Sequence, residues 1–93
     1  MFSYFIARGH SMEPSAKEGD FVFTWKLFYR PQEGDLVVVR DIAQGKFLLK
    51  KVREIKGDAL WLEGENLADS YDSRQLGWVP QTALVGRAFV IHR

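Results

Sequence analysis

An all-β domain is what this sequence predicts, and three observations carry the prediction. Short apolar runs recur between turn signals with a period nearer two than 3.6. Gly, Asp and Pro mark the breaks between them. No segment offers the long apolar stripe of an amphipathic helix. The expected architecture is a small coiled-sheet or barrel-like domain with little helix, spanning residues 1–93 as one unit.

Tyr4–Ala7 is the first expected strand. Phe21–Trp25 is the second, after the Glu18-Gly19-Asp20 turn. Leu36–Arg40 follows Gly34-Asp35, and Pro31 just upstream argues against a helix there. Phe47–Ile55 and Ala59–Glu63 flank Lys56-Gly57-Asp58, a spacing that reads as a hairpin. Leu84–His92 is the last. Between the final two strands lies a polar stretch, Gly64–Gln81, with one helical turn expected near Ser70–Gln75. Phe21, Phe23, Trp25 and Trp61 alternate on short strands and are expected in the core.

Composition narrows the function. Of 93 residues, 46% are hydrophobic and 27% charged, the balance of an ordinary globular domain rather than a disordered one. Thirteen Lys and Arg against twelve Asp and Glu leave a formal charge of +1, so no single-sign field advertises nucleic acid. The absence of Cys removes thiol nucleophiles, disulfides and thiolate metal sites. Two isolated His residues offer no metal-ligand spacing, and no cofactor is expected. No apolar run approaches the ~18–20 residues of a membrane span. A soluble, cytoplasmic protein follows as the expectation, with only peripheral membrane contact open to it.

Two residues suggest chemistry. Ser11 follows the first strand in Gly9-His10-Ser11-Met12-Glu13-Pro14, a turn in which its hydroxyl can stand clear of the sheet. By itself this is a Ser in an ordinary turn. A Gly-x-Ser-x-Gly elbow is not formed, because Glu13 stands at the second Gly position. His10 would project away from Ser11 if the strand continues, and His92 lies at the far terminus. A lysine can replace histidine as base when burial lowers its pKa from ~10.4. Alternation places Lys50 between Leu48 and Val52 on an apolar face, whereas Lys51 shares its face with Leu49 and Arg53. The plain alternative for Lys50 is an amphipathic side chain snorkelling from a half-buried strand. In the polar segment, Asp72 and Arg74 are close enough in sequence to pair, though Asp, Asn and Ser are also common in solvated loops.

Taken in order, several blocks resemble the type I signal peptidases. They are Ser11-Met12-x-Pro14 with Gly19-Asp20, Pro31-x-x-Gly34-Asp35-Leu36-Val37-Val38 and Lys50-Lys51-Val52 with Gly57-Asp58. Gly64-Glu65-Asn66, Ser70-x-Asp72-Ser73-Arg74-x-x-Gly77-x-Val79-Pro80 and Val85-Gly86-Arg87 complete the set, which runs from about Ala7 to Ala88. The resemblance implies a Ser–Lys endopeptidase on a coiled β-sheet scaffold, related more distantly to LexA-type self-cleaving repressors. It implies Ser11 as nucleophile, Lys50 as general base and Ser70 as the hydroxyl orienting Lys50. Asp72 and Arg74 become a supporting ion pair. The Ser11 N–H becomes an oxyanion donor, while Gly9 stands where some members add a hydroxyl. Gly64, Glu65 and Asn66 shape the loop.

Lys51 replaces the usual Arg, Ser15-Ala16 the usual Thr-Leu, Arg53-Glu54-Ile55-Lys56 a more apolar turn, and Glu65 the usual Asp. Within the family, the short chain without an anchor is most similar to the proteases that trim the N-terminal extension of nickel-containing superoxide dismutase. The expected substrate is a protein or peptide precursor bound in extended form, with Met12 and Phe21 lining a shallow apolar groove for small residues. Competing readings are a membrane-associated signal peptidase that processes exported preproteins, a non-catalytic interaction module, and a β-barrel that stacks nucleic-acid bases on Phe21, Phe23, Trp25 and Trp61.

Overall fold

The computed structural model describes residues 2–8, 12–13, 15–41, 44–65 and 71–92. Its framework is a seven-stranded antiparallel sheet in the order β1-β2-β7-β3-β4-β5-β6. The strands are β1 (Phe2–Ile6), β2 (Phe21–Trp25), β3 (Leu36–Asp41), β4 (Lys46–Lys56), β5 (Ala59–Glu63), β6 (Val79–Pro80) and β7 (Leu84–Ile91). A single helical turn, α1 (Ser73–Leu76), and a short 3-10 turn at Gln81–Ala83 complete it. The all-β expectation holds. The sheet is coiled but open: β1 and β6 are its two edges, and it does not close into a barrel.

Local chemistry fixes the element boundaries. Gly57 adopts φ 55°, which a residue with a Cβ resists, and with Asp58 it forms the two-residue turn that pairs Lys56 with Ala59. Ala7 donates its N–H to Asp20 O at 2.8 Å, and Gly19 donates to Ala7 O at 2.8 Å. These bonds close the base of the loop between β1 and β2. Gly86 on β7 sits where a Cβ would lie 2.8 Å from Trp25 O, so only glycine allows this approach of β7 to β2.

The sheet buries two clusters on opposite faces. One gathers Val37, Val39, Val52, Leu60, Leu62, Val79 and Leu84, with Leu48 packed against it. The other gathers Val22, Val38 and Ala88, with Phe5, Ala7, Leu36 and Leu49 packed against it. Small and branched aliphatics, not aromatics, fill both. The expected aromatic core is therefore corrected: Phe21 and Trp25 are exposed, and Phe23 and Trp61 are only half-buried. The run Phe21–Trp25 is apolar at almost every position, so alternation alone does not reveal which face is covered.

Candidate active site

Lys50 sits near the middle of β4, opposite Val37 of β3. Leu48 and Val52, two residues to either side, belong to the Val37 cluster, so period-two geometry puts Lys50 on that apolar face. Its relative exposure is 3%. Lys51 has its side chain 25% exposed and its ammonium 3.2 Å from Glu65. Adjacent lysines thus occupy different environments, as the alternation of the strand requires.

A groove of about 280 Å³ runs between β1 and β4. Phe5, Ala7 and Arg8 line one wall, Leu48, Leu49 and Lys50 the other, and Met12, Ala16 and Val22 also border it. Met12 is buried, and its carbonyl accepts the Ala16 N–H at 2.9 Å, which brings both residues to the groove. Phe5 and Phe47 meet at its rim with ring centroids 4.9 Å apart. β1 is an edge strand of the sheet, and β4 pairs with β3 along its first half and with β5 from Lys51 onward.

The structure brings Met12 and Lys50 to one groove. It does not bring Phe21 there: Phe21 projects from the opposite face of β2, 40% exposed, and Val22 takes the groove position. Ser11 and Ser70 lie outside the described residues, as do Gly9 and His10. His92 is a surface residue whose Nδ1 lies 2.7 Å from the buried Asp20 carboxylate.

The loop after β5 is built around Asp72, which has no exposed surface. Its carboxylate accepts the Gly64 N–H at 2.7 Å and the Arg74 N–H at 3.0 Å. It also accepts Arg74 Nε at 3.0 Å and Nη2 at 2.6 Å, a two-pronged pair that fixes the guanidinium plane. That pairing raises the Arg74 pKa above its ordinary value. Asp72 caps α1 as well, and its own N–H donates to Gln75 Oε1 at 2.9 Å. Ser73 Oγ accepts the Leu62 N–H at 2.8 Å and docks the turn on β5. The expected ion pair is present, and it holds the loop beside the strand next to β4.

One contact is absent from the sequence reading. Glu65 accepts a short hydrogen bond from Ser15 Oγ and pairs with Lys51. It thereby ties the 12–16 segment, the loop after β5 and the strand carrying Lys50 to one another. Partial burial raises the Glu65 pKa, but the Ser15 and Lys51 bonds outweigh it and hold the carboxyl below its ordinary value. Sequence singles out Glu65 only as a shaper of its loop; a partner 50 residues away leaves no local signal.

No cluster of His, Asp or Glu among the described residues suits a metal ion. No helix among them is long and apolar enough to cross a membrane.

Comparison with known proteins bears on this arrangement. The family described as signal peptidase, peptidase S26, matches residues 1–59 and 44–92. Mitochondrial inner membrane protease subunit 1 from Mus musculus is 33% identical over 108 aligned positions, covering 90% of the chain. The Homo sapiens protein of the same name gives the same figures. The chain spans 65% of the length of these curated relatives.

Proposed function

Because the chain belongs to the signal peptidase, peptidase S26 family, we propose that it is a serine endopeptidase that removes an N-terminal signal or propeptide from precursor proteins. Ser11 is the nucleophile and Lys50 the base. The supporting observation is that Lys50, buried on the Val37 face of β4, borders the same groove as Met12, the residue after Ser11 in the chain. Removal from water disfavours an ammonium and favours the neutral amine that a base must be.

The precursor enters extended, as an added strand beside the edge strand β1. A small side chain before the cut enters the groove beside Met12 and Leu49. Ser11 Oγ attacks the scissile carbonyl carbon while Lys50 Nζ takes the hydroxyl proton. The tetrahedral oxyanion is held by the Ser11 N–H. Collapse breaks the C–N bond, and the Lys50 ammonium returns its proton to the departing amine. Water, deprotonated by the same lysine, then hydrolyses the Ser11 ester and frees the new carboxylate. Ser70 orients the Lys50 amine. Asp72 and Arg74 brace the turn that follows Ser70 in the chain.

The specific substrate proposed is a nickel superoxide dismutase precursor, on the sequence resemblance alone. An exported preprotein bearing a signal sequence is the competing substrate. Incubation with both and sequencing of the new N-termini separates them. Cleavage of the dismutase precursor alone, lost in Ser11→Ala and Lys50→Ala, supports the narrower assignment. Cleavage of the preprotein alone overturns it but keeps the peptidase, and cleavage of neither overturns both.

A further inference from the structure

The groove beside Lys50 carries charge of one sign. Arg8 and Lys50 border it, and no Asp or Glu does among the described residues. Arg40 stands on the same face. It lies two residues from Val38 on β3 and pairs with Phe47 of β4, as Val38 pairs with Leu49. Val38, Leu49 and Phe47 all line the groove, so period-two geometry sends the Arg40 side chain to the groove face. Its guanidinium lies 5.7 Å from the centroid of the Phe47 ring, the ring that meets Phe5 at the rim.

Neither arginine is committed to a carboxylate elsewhere in the protein. Ion pairs within the chain engage Lys51, Arg53, Arg74, Arg87 and His92. Arg8 and Arg40 enter none among the described residues, and both are exposed. Stacking on an aromatic face fixes a guanidinium plane and leaves its N–H groups pointing outward, a fork that matches a carboxylate. Apolar walls strengthen the attraction, because they exclude part of the water that would screen it.

We propose that the groove selects an extended substrate segment bearing an acidic side chain, and that Arg40 is the residue that pairs with it. The inference rests on the peptidase reading and adds to it the class of side chain the precursor carries. Spacing places the carboxylate. Phe47, the partner of Arg40, lies three residues from Lys50 on one strand, roughly 10 Å at about 3.3 Å per residue. An extended substrate advances by the same rise, so Arg40 meets a side chain about three residues from the scissile bond. A basic side chain there is rejected, because Arg8 and Arg40 repel it and no carboxylate on the groove wall offsets them.

The test is peptide binding to the full chain carrying Ser11→Ala, followed by fluorescence anisotropy. Three labelled ten-residue peptides rich in Ala, Thr and Val differ only at one central residue, which is Glu, Gln or Lys. The Glu peptide should bind about fivefold more tightly than the Gln peptide, the scale of one partly exposed ion pair, and the Lys peptide most weakly. Salt should narrow the spread. Adding Arg40→Glu should invert the order. Adding Lys26→Glu instead, the same charge change on a residue that does not border the groove, should preserve it. Arg40 is exposed and its replacement leaves the fold intact, which circular dichroism verifies. Equal affinities, binding of none of the three, or a Glu preference that survives Arg40→Glu overturns the proposal. Wild-type protein tests the underlying reading separately: failure to cleave a Glu peptide that it binds would sink the peptidase and leave the acidic preference standing.

Discussion

Replacing Asp72 by Ala should be among the most destabilising single substitutions in this chain. At least four donors lose their acceptor at once, among them the N–H groups of Gly64 and Arg74 and the Arg74 Nε and Nη2 atoms. Gly64 is buried, so its orphaned N–H costs about 1–3 kcal/mol. Loss of the cap on α1 adds about 1 kcal/mol. The Arg74 side chain is 33% exposed and regains water, so the ion pair itself adds no more than about 1 kcal/mol. Together these predict about 2–5 kcal/mol. At roughly 4–8 °C per kcal/mol for a domain this size, Tm should fall by about 8–40 °C. Arg74→Ala should cost less, about 1.5–3 kcal/mol, because Asp72 keeps both backbone donors. Urea denaturation of the two variants, with Asp72→Asn as the shape-preserving control, measures this directly. Arg74→Ala proving more damaging than Asp72→Ala would refute the assignment of Asp72 as the hub of the loop.

Other consequences concern single contacts. Glu65 has a lowered pKa, so its partners contribute stability above its unfolded value of 4.5 and lose it as pH falls through the folded value. Glu65→Gln should flatten that acid limb in a pH series of thermal melts, and should lower kcat by loosening the 12–16 segment. Burial, reinforced by the hydrogen bond to Asp35, raises the Tyr29 pKa above 10.0. Stability from Tyr29 is therefore complete below pH 10.0 and declines at higher pH. Tyr29→Phe should remove one late-ionising phenol from a spectrophotometric titration. Gly86→Ala should cost about 1–3 kcal/mol, because its methyl would press on the Trp25 carbonyl rather than on a movable side chain; chemical denaturation reads the loss.

Much of this was legible in sequence where local chemistry decides. β2 and β5 have the expected bounds because glycine turns precede both. β6 was not foreseen, since two residues, one of them Pro80, carry no periodic signal. Lys50 could be told from Lys51 because its neighbours at two-residue spacing are apolar on one side only. Phe21 lies on the face opposite the groove, which the sequence does not reveal because Phe21–Trp25 has almost no polar alternation to orient it. The Ser15–Glu65–Lys51 link joins segments far apart in the chain, and only the fold can create it. Asp72 with Arg74 was readable because two residues on one turn can meet without help from the rest of the molecule.

The most direct test of the Ser–Lys assignment is intact-mass measurement after exposure to an extended peptide ester that acylates slowly hydrolysing serine enzymes. Wild-type protein and Lys51→Ala should each gain one acyl group, mapped by fragmentation to Ser11. Ser11→Ala and Lys50→Ala should gain none while remaining folded. Acylation of Lys50→Ala at the wild-type rate, or an adduct on any other residue, would contradict the account.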